Sequence, residues 1–102
     1  MSKINFAQFQ QEDRRLCLLL ALEQAAGYEA NHFLLNQFLD SVGHNISHDL
    51  VITEGQWLAE QSLLNIKAIG DSHIFTLTTK GVDCANGRTI VHGVKRPMPG
   101  GA

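Results

Sequence analysis

Two β-prone runs, LLNIKAI (63–69) and HIFTLT (73–78), flank Gly70 through the connection GDS. That pattern reads as an antiparallel hairpin with a loop of about three to five residues. The three segments before it carry helical periodicity, and only one short helix-prone stretch follows it. A single hairpin behind three helices is the strongest constraint that the sequence places on the fold.

The first helical segment is read from about Phe6 to Ala26, with Gly27 as its stop. Leu16, Leu19, Leu20 and Glu23 share one side, extended by Phe9. Asn31 is read as the cap of a second helix, in which Leu35, Phe38, Leu39 and Val42 recur at helical spacing and Gly43 ends the pattern. Ser47 is read as the cap of a third helix reaching about Gln61, with Val51, Gly55 and Leu58 inward and Trp57 beside them. Gly55 inside a helix costs about 1 kcal/mol against Ala, and a close approach to the second helix would explain it. Thr79 is expected to cap a last short helix, KGVDCAN, closed by Gly87. This order describes a mainly α, α+β fold: a winged helix-turn-helix of three helices, a β-hairpin wing and a short C-terminal helix. The chain of 102 residues suits one domain, 1–87, followed by an extended, partly mobile tail, 88–102, whose final part holds Pro97, Pro99 and glycines.

WLAEQSLL, FTLTTKGVDCANGR and VHGVKRPMPG resemble a family of small winged-helix proteins encoded by Mu-like bacteriophages and prophages. The resemblance spans roughly residues 14 to 100, and GVKRPMPG is its most specific part. It implies a phage origin, a winged-helix fold and a regulator-like label by similarity to the arsenic-repressor group. It implies no catalytic residue and no cofactor. The cysteine-rich metal-sensing motif of that group is absent.

A winged helix raises the expectation of double-stranded DNA as partner, read by the third helix. Its outward residues are expected to be His48, Asp49, Ile52, Thr53, Gln56 and Glu60. Gln56 suits adenine, Thr53 several base edges and Ile52 a thymine methyl. The segment holds Asp49, Glu54 and Glu60 but no Lys or Arg, and the whole chain has a formal net charge of −2. Phosphate attraction would have to come from elsewhere. The candidate DNA-binding set is therefore His48, Thr53, Gln56, Lys67 and His73, with Arg88, Lys95 and Arg96 of the basic tail. Arg14, Arg15 and Lys80 are further cations. The tail equally suits a protein partner.

Leu18 and Leu22 lie away from the Leu16 stripe, at about 100° per residue. They are expected to need a cover of their own, supplied by the N-terminal segment with Ile4 and Phe6 or by a second subunit. Phe6, Leu18 and Leu22 are thus the candidate interface of a homodimer, the commonest closed oligomer. The alternative function is a protein–protein assembly module without DNA binding, with other phage proteins as possible partners.

No enzyme motif is present: no P-loop, no H-E-x-x-H, no G-x-G-x-x-G and no nucleophile beside a base. His44 and His48 flank Ser47 without a third nearby ligand in sequence, so no metal is expected. Cys17 and Cys84 read as reduced, partly buried thiols in a cytoplasmic chain of a bacterial host. RRLCLLLALEQAA mimics a signal sequence, but its apolar run is short and acids flank it. It is too short to span a membrane.

Overall fold

The computed structural model describes residues 5–98. They form α1 (Phe6–Gln24), a 3-10 turn (Ala26–Tyr28), β1 (Glu29–Asn31), α2 (His32–Ser41), α3 (His48–Glu60), β2 (Leu64–Ile69), β3 (Ser72–Leu77) and α4 (Thr79–Ala85). The architecture is α+β: four α-helices and one antiparallel sheet of strand order β1-β3-β2.

Side-chain caps define the helix starts. Asn5, Asn31, Ser47 and Thr78 each accept a hydrogen bond from a backbone N–H three residues on. Asn31 and Ser47 occupy the cap positions read from the sequence. The cap of α4 is Thr78 rather than Thr79, because Thr79 already has helical backbone and cannot be the flanking residue. The first helix ends at Gln24, earlier than expected, and the chain leaves through the 3-10 turn with Gly27 at φ 67° and Tyr28 at φ 58°.

The hairpin is present and tighter than expected. Ile69 pairs with Ser72, so only Gly70 and Asp71 connect the strands. The sequence reading had two strands; the sheet has three. β1 is three residues long and pairs Glu29, Ala30 and Asn31 with Thr76, Phe75 and Ile74. It carries no alternating apolar pattern, which is why it was not foreseen. β3 is therefore the central strand, and its Phe75 is fully buried.

Leu18 and Leu22, expected to face a second subunit, are 0% exposed within the single chain. The reason is the number of elements around α1. It packs against α2, β3 and α4 together, so the core encloses both of its apolar stripes. Gly55 also has a different neighbour from the one expected. A Cβ there would overlap the Phe75 ring, so the close approach is to β3 and not to α2.

Residues 89–98 do not run free. Lys95 N–H donates to the Glu12 carbonyl at 3.1 Å, and Val94 is 7% exposed within the core. Gly93, at φ 98°, lies against the Trp57 ring edge. The chain thus folds back across the N-terminal half of α1. Ile4 and the final residues of the tail lie outside the described residues.

Candidate functional site

The outer side of α3 is as expected: His48, Asp49, Thr53, Gln56 and Glu60 are exposed, and Ile52 is half-buried. Glu54 is different. It is 1% exposed and faces α1, where Arg14 Nε donates to its Oε2 at 2.6 Å and Arg15 Nε to its Oε1 at 2.9 Å. Arg15 also donates from Nη1 to the Gly93 carbonyl at 3.0 Å, and its guanidinium carbon stands 3.8 Å from the Trp57 ring centroid. One carboxylate therefore holds two cations that a charge count would assign to the surface.

Three of the remaining cations also have partners within the chain. Lys95 Nζ donates to Asp13 Oδ1 at 3.1 Å and lies over the Phe9 ring. Arg88 pairs with Asp83 at 3.3 Å, and Lys80 donates to the Gln61 carbonyl at 3.1 Å, at the end of α3. Lys67 is exposed on β2, and Arg96 is exposed in the C-terminal segment. The tail cations Arg88 and Lys95 are thus drawn to α4 and α1. No ion pair joins any described cation to the outer acids of α3.

His48 and His73 of the candidate DNA-binding set do come together, around a histidine that sequence reasoning passed over. His32, 2% exposed at the start of α2, has ring centroids 5.7 Å from His48 and 5.4 Å from His73. The Phe33 ring lies beside it, tilted by 36° at a centroid distance of 4.0 Å. His73 N–H donates to His32 Nδ1 at 3.0 Å, which fixes that nitrogen as an acceptor. Burial, with His73 and His48 close by, holds His32 below its ordinary pKa.

The two histidines flanking Ser47 part company. His44 faces α1, where its Nε2 is 2.7 Å from Asp13 Oδ2, and Cys17 Sγ donates to the same oxygen at 3.8 Å. Ligand atoms of Asp13, Cys17 and His44 all lie within 4.8 Å of one another. Burial and the Asp13 carboxylate push the Cys17 thiol up to about 11. Burial also raises Asp13, but hydrogen bonds from His44 and Lys95 outweigh it and leave this carboxyl below its ordinary range. The i, i+4 spacing of Asp13 and Cys17 is legible in sequence, but their meeting with His44 is a long-range contact with no local signal. Both cysteines are free thiols.

An apolar groove opens at the other end of α1. Ala21, Ala25, Ala30, Leu34, Leu35 and Phe38 line a cavity of about 250 Å³ between α1, β1 and α2. Leu34 is 56% exposed at its rim. Phe6 and Phe9, at the N-terminal end of α1, are exposed with ring centroids 6.5 Å apart. Of the three residues expected at a dimer interface, Phe6 alone is at the surface. No helix of the described residues is long and apolar enough to cross a membrane.

No protein-family model matches the chain. It is 39% identical over 97 residues to an uncharacterised Haemophilus influenzae protein, covering 94% of this chain and 93% of that one. It is 46% identical over 88 residues to the uncharacterised protein gp26 of Escherichia phage Mu, covering 86% of this chain and 91% of gp26. At that identity and coverage, the chain belongs to the phage Mu gp26 family.

Proposed function

We propose that this phage-type protein is a non-enzymatic winged helix acting in the host cytoplasm as an assembly module that pairs with a second copy of itself. The winged-helix reading is supported by α2 and α3 joined by a turn, by the hairpin directly after α3, and by β1 completing the sheet from between α1 and α2. The observation that carries the pairing is a knob and a hole on one helix. Phe6 and Gln24 are 18 residues apart on α1, five turns at 3.6 residues each, and so lie on the same side. The exposed Phe6–Phe9 pair is the knob, and the groove beside Ala21 and Ala25 is the hole. Two copies with antiparallel α1 helices bring each knob to the other's hole, which is the self-complementarity of a twofold interface.

Sedimentation equilibrium tests this pairing. The wild-type chain is expected to be a dimer at tens of micromolar, and Phe6→Glu and Leu34→Glu monomers of unchanged circular dichroism. Mixing the two variants restores one knob–hole contact and part of the dimer. A monomeric wild type defeats the pairing.

A second reading, binding of double-stranded DNA through α3 and the hairpin, is favoured by the meeting of His48 and His73 around His32, with Lys67 paired opposite Ile74 nearby. Fluorescence anisotropy with prophage DNA should then show binding that weakens steeply with salt. Absence of binding at low salt removes this reading.

A further inference from the structure

We propose that Asp13, Cys17 and His44 form a binding site for a divalent transition metal, with Zn²⁺ the ion their chemistry fits best. The set offers one carboxylate oxygen, one sulfur and one imidazole nitrogen, a borderline-soft combination suited to zinc. Two elements supply it. Asp13 and Cys17 are one turn apart on α1 and share a face. His44 comes from the turn between α2 and α3, where its backbone N–H donates to the Leu39 carbonyl at 2.8 Å and the residue is 8% exposed.

The geometry is close to that of a metal site. Around a tetrahedral zinc with bonds of about 2.0–2.3 Å, ligand atoms stand roughly 3.3–3.8 Å apart. Here Asp13 Oδ2 is 3.8 Å from Cys17 Sγ, within that range, and 2.7 Å from His44 Nε2, a hydrogen-bonded pair that must open to admit the ion, with all three ligand atoms within 4.8 Å of one another. The ion takes the place of the hydrogens that now bridge these atoms. The Cys17 S–H proton leaves to water, the hydrogen on His44 Nε2 is displaced so that the neutral ring carries its one N–H on Nδ1 and ligates through Nε2, and thiolate and carboxylate together balance the two positive charges. Lys95 donates to the other Asp13 oxygen at 3.1 Å and so orients the carboxylate, the part usually played by an outer hydrogen-bonding partner. Three ligands leave a fourth position for water.

The histidine cluster is a poorer candidate. Its rings meet edge to face, and His32 Nδ1 is already an acceptor for the His73 N–H. Metal at Asp13, Cys17 and His44 would tie α1 to the turn that starts α3, across a sequence separation of 31 residues. Binding to the folded state alone would raise Tm, and a chelator would reverse it.

Co²⁺ is the probe, added to the full chain with its thiols reduced. One equivalent is expected to give a sulfur-to-cobalt charge-transfer band and tetrahedral visible bands, which Zn²⁺ then bleaches. Cys17→Ser should lose the charge-transfer band, and His44→Gln should lose at least about 100-fold in affinity, at or beyond the limit for outer partners. His48→Gln and His73→Gln should bind as wild type. A second readout needs no variant: Zn²⁺ should slow alkylation of Cys17 in the wild-type chain, resolved by peptide mass, by a larger factor than that of the buried Cys84, which slows only as far as the fold is stabilised. The proposal is overturned by absent binding, by a charge-transfer band that survives Cys17→Ser, by unprotected Cys17, or by loss of binding in the His48 or His73 variants.

Discussion

The two sides of α3 carry the same residue type with opposite consequences. Glu54 is enclosed on the inner side between two arginines of α1. Glu60 is exposed on the outer side, in the last turn, with no ion-pair partner among the described residues. In composition the two count alike, as repulsion toward a polyanion. In the fold one of them is neutralised and removes Arg14 and Arg15 from the surface, while the other faces solvent. The charge that matters to a partner is therefore what remains after internal pairing.

The inner side gives the largest expected effect. Glu54→Gln leaves two guanidinium groups largely buried and without their counter-charge. Breaking a buried pair from one side costs about 3–5 kcal/mol. Denaturant unfolding should show a loss of that order, with Arg14 and Arg15 side chains only 14% and 10% exposed. Replacing Glu54 and Arg15 together by Met should recover part of it, because one of the two uncompensated charges is removed while that of Arg14 remains. A neutral Glu54→Gln would mean that the inner side is no more than a solvated contact.

Gly55 tests the same side without charge. In an exposed helix Gly→Ala would stabilise, by about 1 kcal/mol. At this position the added Cβ meets three atoms of the Phe75 ring within 2.9 Å. Overpacking of this kind costs about 1–3 kcal/mol. Gly55→Ala should therefore lower Tm, and a rise would place Phe75 elsewhere.

These residues also mark what the sequence could show. Helical spacing located all of α3, its Ser47 cap and its outward residues. The same spacing sets position 54 beside Val51 and Leu58, so the inward direction of Glu54 was legible. Its arginine partners were not, because those contacts bridge sequence separations of 40 and 39 residues. His32 was missed for the same reason: its neighbours are His73 on β3 and His48 on α3. The second stripe of α1 misled because periodicity reports that Leu18 and Leu22 need cover but not that the same chain supplies it. β1 had no pattern of its own, and β3 determines its pairing.

The start of α3 differs from its middle in packing against a buried histidine of α2. His32 is buried and held below the ordinary value of 6.5 by that burial and by the nearby His73 and His48, with Asp49 acting in the opposite direction. The unfolded chain then binds the proton more readily than the folded one. The stability that neutral His32 contributes is full above about pH 6.5 and declines as pH falls below it. Thermal melts between pH 7.5 and 5.5 should show this decline, and His32→Asn should flatten it. An equal slope in the variant would assign the titration to another group.

Glu60 gives the smallest effect, with the opposite sign to Glu54. It is the last residue of α3, where the exposed carbonyl ends of the helix carry partial negative charge. A carboxylate there is disfavoured and a cation favoured, by about 0.3–1 kcal/mol at low salt. Glu60→Lys should raise stability by that amount, and added salt should shrink the gain. Because the residue is exposed, any larger change would show that the outer side of α3 packs against something in solution. Repeating the measurement across protein concentrations then separates a second copy from an intramolecular contact, since only pairing makes Tm depend on concentration.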